Sequence, residues 1–534
     1  MGSPSASVES AQLDRRLHVK ISERLVIINS ASFVLTRIIN ISVIVWVYQF
    51  LLARIPTAEF AVYPVIAAVM VMAPLFFTSF TGGITRNALD AYAKGDRVGV
   101  TRIVSSILPL IWMMTAVFLP VGGFLALNID HVLNIPGDMV EQAALMMALL
   151  VLAFAVQMML VPFQIGFHIH QKFVEMNLIM LGREVFRLMV LLMLMYGLGA
   201  QVMWVVVASF LADTLGAVAL ALRSRALVPE LRFRRDLVDK TEARGLVSFG
   251  LWTSLGQLGN VIYTHAATIV LNLYGTPQDV TVYFIGATMF RQLQALIQVA
   301  IQPLLPAITA MQATNDIGRL RRTMLRGGRY GLWVALLPGV ALMVYADEFV
   351  RLYAGEAYIG AAVVIVLFMA ILPFDRATTL LPTVCIAMAK VKAFFLPAFL
   401  FQLAGLVLMV IFAGPMGMGA VGVTLALAAI TIFSQLGYFW GLALRLGDTP
   451  LPVFLRSTIW MGWLPGLVGL GVWFCLQEAW EITTWWQLAV SSSVGTVFYA
   501  ATILIFCVES ADRLKLWTAL NGRVSRIATT GRRD

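Results

Sequence analysis

Charge is scarce in this sequence: only 12% of its 534 residues are Asp, Glu, Lys or Arg, about half the share of a soluble globular chain. Cysteine is scarcer still. The three present, Cys385, Cys475 and Cys507, all fall in long apolar runs, which excludes a disulfide framework and a zinc spacing and leaves packing as their role. No glycine-rich phosphate loop of the nucleotide-binding kind occurs, so ATP hydrolysis within the chain is not expected. What fills the space is apolar: 60% of residues are hydrophobic and the mean hydropathy is +0.86. An integral membrane protein follows. The apolar runs are continuous and too long for barrel strands, which alternate over about 10 residues.

A helix needs roughly 20 residues to cross the hydrocarbon core, and fourteen stretches approach that length. They are Val26–Leu52, Phe60–Phe80, Ile103–Leu127, Met139–Gln164, Asn177–Leu198, Met203–Leu222, Leu246–Leu271, Val280–Leu305, Tyr330–Ala346, Gly360–Ala387, Phe394–Phe412, Ala420–Leu444, Ile459–Leu476 and Leu488–Val508. The first lacks the short apolar core and small-residue cleavage site of a signal peptide and is read as an uncleaved helix. Of the 38 Lys and Arg, only Arg54 and Arg351 fall in the loops on one side, where Asp130, Asp138, Glu141, Asp347, Glu348 and Glu356 collect. That bias predicts both termini in the cytoplasm. The net charge of +10 then needs no nucleic acid; basic runs such as "RLRRTMLRGGR" are expected to meet anionic lipid heads.

The chain also repeats itself. At an offset of 220, Tyr63 meets Tyr283, Ala93 meets Ala313, Asp96 meets Asp316, Arg102 meets Arg322, and "GLGA" at Gly197 meets "GMGA" at Gly417. At 218, Pro120 meets Pro338, Val132 meets Val350, Gly137 meets Gly355 and Lys172 meets Lys390. A register held within two residues over this distance marks a duplication. Six spans per copy is an even number, so both copies enter the membrane in the same sense and form lobes related by an axis along the membrane normal. The expected all-α architecture is a cytoplasmic segment (1–24), a first six-helix lobe (25–222), a basic linker (223–245), a second lobe (246–445), two further helices (446–508) and a basic tail (509–534). Transporters built this way bind their cargo between lobes that rock against each other.

Ionisable residues inside spans are functional candidates because burying them in lipid is costly. The cations are Arg37, Arg183, Arg187, Arg291 and Arg376; the anions are Glu184, Asp213 and Asp375. Arg291, Gln294, Gln298 and Gln302 fall on one helical stripe. Arg37 and Asn40 share a face of the first span, and Gln257 and Asn260 occupy the repeat-equivalent place in the seventh. Arg183 and Arg187 lie four apart on the fifth. These stripes suit the wall of a hydrated cavity; amide glue between helices, at roughly 0.6 to 2 kcal/mol per bond, is the alternative. An excess of guanidinium predicts an anionic cargo, since Arg pairs bidentately with phosphate and carboxylate, while the amides and Thr hydroxyls suit sugar hydroxyls. Asp213, and with it Glu184 and Asp375, are candidates for ion coupling, with pairing to an Arg of the fifth span as the structural alternative for Asp213. Arg376, after Pro373, could satisfy carbonyls freed by the prolyl break. No metal site and no cofactor are expected.

The six-plus-six-plus-two arrangement and the phrases "AEFAVYPVIAAVMVMAPLF", "SFGLWTSLGQLGNVIYTHAATIVLNLYG" and "VYFIGATMFRQLQALIQVAIQPLLPAITAMQATND" resemble the multidrug/oligosaccharidyl-lipid/polysaccharide (MOP) exporter superfamily, and within it the bacterial polysaccharide (Wzx-like) flippases. The resemblance covers nearly the whole chain. It implies a protein of the bacterial cytoplasmic (inner) membrane that flips a polyprenyl-diphosphate-linked oligosaccharide to the external leaflet. An H+ or Na+ gradient would drive it, and a polysaccharide polymerase and other glycan-assembly proteins would be its partners. A lipid II flippase is the alternative within the superfamily, and a multidrug antiporter the alternative of another class. An enzyme acting on lipid-linked glycans would need large external loops with acid and base residues, and these loops are short.

Overall fold

The structure is a computed structural model and describes residues 23–74, 77, 84–239, 261, 265–301, 308, 311, 317–388 and 390–508. In lipid every backbone N–H and C=O must be satisfied within its own segment, so an apolar chain of this length folds as helices. The main ones are α1 (Glu23–Leu52), α2 (Thr57–Met70), α3 (Ile84–Ala93), α4 (Arg97–Leu127), α5 (Val140–Leu160), α6 (Phe173–Leu198) and α7 (Met203–Leu227). After the linker come α8 (265–274), α9 (Pro277–Ile301), α10 (Ile317–Val344), α11 (Gly360–Met369), α12 (Val391–Ala413), α13 (Gly419–Ser434), α14 (Met461–Ala479) and α15 (Trp485–Thr502). Nine helical stretches among the described residues are long and apolar enough to cross a membrane. Their starts follow local chemistry. Asp96 caps α4 by accepting from the Gly99 amide at 2.7 Å, and Thr484 with Gln487 forms a capping box at α15.

Outward faces are apolar. On α12, Leu396, Leu400, Leu403 and Val407 are exposed at spacings of four, three and four. This is one helical stripe turned away from the protein, as a lipid-facing surface requires.

The duplication is visible in the packing. In the first lobe α4 packs on α5, α5 on α7 and α6 on α7; in the second, α10 packs on α11, α11 on α13 and α12 on α13. A matching hydrogen bond fixes each copy. Glu59, in the first turn of α2, accepts from the Val202 amide at the start of α7 at 2.7 Å. Asp279, in the first turn of α9, accepts from the Ala420 amide at the start of α13 at 3.0 Å. The acids are 220 apart and the amides 218 apart, the two offsets of the repeat. Both carboxylates satisfy orphan amides of a helix start.

The C-terminal hairpin is part of the second lobe's packing: α14 lies along α10, and α15 along α14. Polar tips of aromatic side chains tether it. Trp333 Nε1 donates to the Met461 carbonyl (2.9 Å), Tyr499 to the Trp333 carbonyl (2.9 Å) and Tyr345 to the Trp473 carbonyl (3.2 Å). Buried Trp and Tyr need such partners for their N–H and O–H groups.

The linker does not hang free over the described part of its length. Residues 228–239 run along the start of α4, with Val228 and Leu231 fully buried. Thr101 donates to the Glu230 carbonyl (2.9 Å), and the Ser105 and Ser106 hydroxyls accept from the Arg234 and Asp239 amides (2.9 Å each).

Candidate functional site

Intramembrane charges of the first lobe meet in one network. On α6, Arg183 Nη2 donates to Glu184 Oε1 at 2.7 Å, and Arg187 Nη1 donates to Glu184 Oε2 at 3.0 Å. From α7, Asp213 Oδ1 accepts from Arg187 Nη2 at 2.7 Å and lies 3.6 Å from Arg183 Nη1. Glu184 is buried, only 4% exposed. The quartet is neutral overall: two cations, two anions. Gly216 makes room for it, because a Cβ there would lie 2.7 Å from Arg183 Cδ.

Glu184 and Arg187 also line a small cavity of about 50 Å³ between α1, α2, α6 and α7, together with Tyr48, Tyr63, Leu188 and Ser209. Tyr63 lies within electrostatic reach of Arg187. Tyr48 stands against the second lobe, its ring edge-on to Phe284 of α9 at 4.9 Å, while Phe60 meets the same ring at 5.7 Å. An aromatic seal therefore closes the lobe junction between α1, α2 and α9.

Arg291 sits on the far side of that seal. It is 14 residues beyond Pro277, about 21 Å along the helix at 1.5 Å per residue, and so well within the membrane. Its guanidinium lies 5.7 Å from the Phe284 ring centroid and donates to Thr288 Oγ1 at 3.1 Å. Tyr48, Tyr283 and His265 are in electrostatic reach. Among the described residues no carboxylate pairs with it. Of the other intramembrane cations singled out in the sequence, Arg183 and Arg187 share Glu184 and Asp213, and Arg376 binds Asp375.

The stripe that begins with Arg291 is described in part. Arg291 and Gln294 are half-buried on α9. Gln298 is on α9 as well, but its side chain lies outside the described residues, as does Gln302. Asn40 is half-buried on α1; the Arg37 side chain, Gln257 and Asn260 also lie outside the described residues.

A second polar cluster occupies the broken span 360–387. Asp375 accepts from Arg376 and, at 2.9 Å, from Gln435 Nε2, and Gln435 Oε1 accepts from Thr378 at 2.9 Å. Gln435 opens a π-helical turn, Gln435–Phe439, after α13, the kind of wide turn that often marks a functional position. Two indoles satisfy carbonyls at this break. Trp463 Nε1 donates to the Pro373 carbonyl at 3.0 Å and Trp440 Nε1 to the Phe374 carbonyl at 3.1 Å. Sequence reasoning missed both tryptophans, and Tyr48 as a cavity residue, because their partners lie far away along the chain. Tyr63 carried one signal: it repeats as Tyr283.

This fold, two lobes of like-packed helices meeting at a closed junction with a terminal hairpin, is shared with solved transporters of the MOP superfamily. The chain superposes on a structure titled lipid II flippase MurJ, inward closed conformation, with a TM-score of 0.70 at 14% identity, covering 90% of this chain and 98% of that one. An inward-facing multidrug resistance MATE family transporter of the superfamily gives 0.62 at 14% identity, covering 77% and 94%. Residues 112–363 match a family model described as polysaccharide biosynthesis protein. The uncharacterized membrane protein EpsK of Bacillus subtilis (strain 168) is 21% identical over 508 residues, 92% of this chain and 97% of that protein. The fold expected from the sequence is borne out: the chain is a multi-pass helical membrane protein that shares its fold with solved MOP-superfamily transporters, and part of it, residues 112–363, is similar to a polysaccharide biosynthesis family.

Proposed function

We propose that the protein is a flippase that carries a polyprenyl-diphosphate-linked oligosaccharide from the cytoplasmic to the external leaflet of the bacterial inner membrane, by rocking of two lobes around a cationic cavity. The observation that carries this reading is Arg291, an intramembrane cation with no carboxylate partner among the described residues. An unpaired guanidinium in a low-dielectric site is costly unless an anion arrives to meet it, and a diphosphate is the anion that a guanidinium fork fits bidentately. Gln294 and Asn40 would supply amides for sugar hydroxyls, and the sequence pattern assigns Arg37, Gln257, Asn260, Gln298 and Gln302 to the same role. In the first lobe, Arg187 faces a cavity of its own and, with Arg183, would hold the cargo when Asp213 or Glu184 takes up the coupling ion. Asp375, bound to Arg376 and Gln435, would serve the second lobe in the same way.

The superposition that includes the terminal hairpin favours a second reading, transport of lipid II, because the structure titled as a lipid II flippase covers 90% of this chain. A cationic-drug antiporter is less well supported. Among the described intramembrane groups each acid, Glu184, Asp213 and Asp375, is already matched by an arginine.

The test is a deletion strain whose lipid extract is analysed by mass. Polyprenyl-diphosphate-linked oligosaccharide should accumulate with loss of the surface polymer. The wild-type gene should reverse both and Arg291→Ala neither, at equal protein level; Arg291→Lys recovers activity in part if charge suffices. Accumulation of a peptidoglycan precursor instead would select the second reading. No accumulation, with raised sensitivity to cationic dyes, would overturn both.

A further inference from the structure

At the end of the bundle where the acidic loops gather, the two lobes are joined by amide side chains that reach backbone carbonyls across the junction. Asn272, at the end of α8, donates Nδ2 to the Asn134 carbonyl at 2.9 Å and accepts from the Asn134 amide at 2.8 Å. Gln49, near the end of α1, donates Nε2 to the Leu352 carbonyl at 3.2 Å. The two bonds are images of each other under the repeat. Asn134 and Leu352 are 218 apart, and Gln49 lies at an offset of 223 from Asn272, one helical turn from strict equivalence. Each lobe thus offers a carbonyl from the loop after its third span to an amide on the first span of the other. Two further bonds cross beside them: Tyr353 OH to the Val45 carbonyl at 2.9 Å, and Thr57 Oγ1 with Tyr358 OH at 2.8 Å.

Behind Asn134 and Asn272 lies a cleft of about 130 Å³, lined also by Ala58, Ala61, Thr276 and Pro277, and beyond it the aromatic seal of Tyr48, Phe60 and Phe284. The Asn134–Asn272 bonds are exposed and the other three partly buried; a neutral hydrogen bond that replaces one to water has a small net effect, so each holds the junction shut by only a small factor. A closure that must open once per cycle needs such contacts, numerous and individually weak.

We propose that Gln49 and Asn272 are paired latches, one per lobe and related by the internal duplication, that set the fraction of molecules closed at the acidic end. The inference is independent of the cargo, and its test involves none. In the full chain with Cys385, Cys475 and Cys507 replaced by Ala and Val62→Cys as reporter, buried beside the cleft, the rate of maleimide labelling is measured in lipid nanodiscs. Both faces are then accessible, so orientation in the membrane does not enter. Removing either amide, as Gln49→Ala or Asn272→Ala, should raise the labelling rate by roughly fivefold, and removing both by on the order of 25-fold if the sites act independently. The Gln49→Glu/Asn272→Asp pair keeps side-chain length and removes both donors, so it should label faster than the parent even if the alanine pair misfolds. Labelling unchanged in the well-folded double variants would overturn the proposal.

Discussion

Glu184→Gln is a single-atom change that tests the buried network of the first lobe. The side chain keeps its shape, yet a carboxylate that is 4% exposed and accepts from two guanidinium groups at 2.7 and 3.0 Å becomes a neutral amide. The local charge of the quartet then rises by one unit. Asp213, with its Oδ1 already at 2.7 Å from Arg187, is the single carboxylate left to the two arginines within the quartet. Removing one partner of a buried ion pair costs about 3–5 kcal/mol, because the remaining charge is left uncompensated. For a cooperative unit of roughly 200 residues, 1 kcal/mol moves the midpoint by about 2–4 °C, so the melting temperature in detergent should fall by on the order of 10 °C. Arg183→Met on the same chain restores neutrality, and the double variant should melt well above Glu184→Gln alone. Two destabilising changes that partly cancel can do so only through a shared network. The assay is thermal unfolding of purified protein followed by size-exclusion recovery. A shift within 1 °C for Glu184→Gln, or strict additivity in the double variant, would refute the view that these four groups are one buried unit.

Other outcomes follow from geometry. Gly328 of α10 faces the unwound segment after Asp375, and a Cβ there would stand 2.3 Å from the Ala377 carbonyl oxygen. Backbone cannot yield as a side-chain tip can, so Gly328→Val should lower the folded yield and melting temperature far more than the same change at Gly123, which has open space around it; equal effects would contradict the contact. Asp279 lies at the acidic end, outside the apolar stretch. Burial raises its pKa, but hydrogen bonds from the Thr276 hydroxyl and amide and the Ala420 amide outweigh this and hold it below its ordinary value. Its contribution is therefore fully present above the ordinary carboxylate range and lost as pH falls through the lower folded value. Wild type should lose stability in that acidic window, and Asp279→Asn should be less stable at neutral pH with a flatter acid limb. A parallel acid limb in the two proteins would show that the cap carries none of this dependence.

Much of the architecture was open to inspection in the residues. Composition dictated a helical membrane protein because no other arrangement of an apolar backbone satisfies its amides in lipid. The offsets of 220 and 218 announced the two lobes, and the Glu59 and Asp279 caps show why the register is so tightly kept: an acid in the first turn of one helix must meet the amide that opens another. Arg291 was legible as an intramembrane charge on a polar stripe. Periodicity along a single helix contains that much.

Which charges neutralise each other was not legible. Asp213 admitted a reading as an ion site and another as a partner of the fifth span, and only the packing of α7 on α6 places its Oδ1 against Arg187. At the break around Pro373, the Phe374 and Pro373 carbonyls are met by Trp440 and Trp463 from 66 and 90 residues away, partners that no local pattern could reveal. The latches at Gln49 and Asn272 join residues 303 and 138 positions apart. By itself the sequence determined what each helix is and how many times the pattern recurs, because propensity, hydropathy and capping act over a few residues. The tertiary structure alone decided which polar groups are spent on one another and which, like Arg291, have no carboxylate partner among the described residues, because that depends on distances set when helices remote in sequence pack side by side.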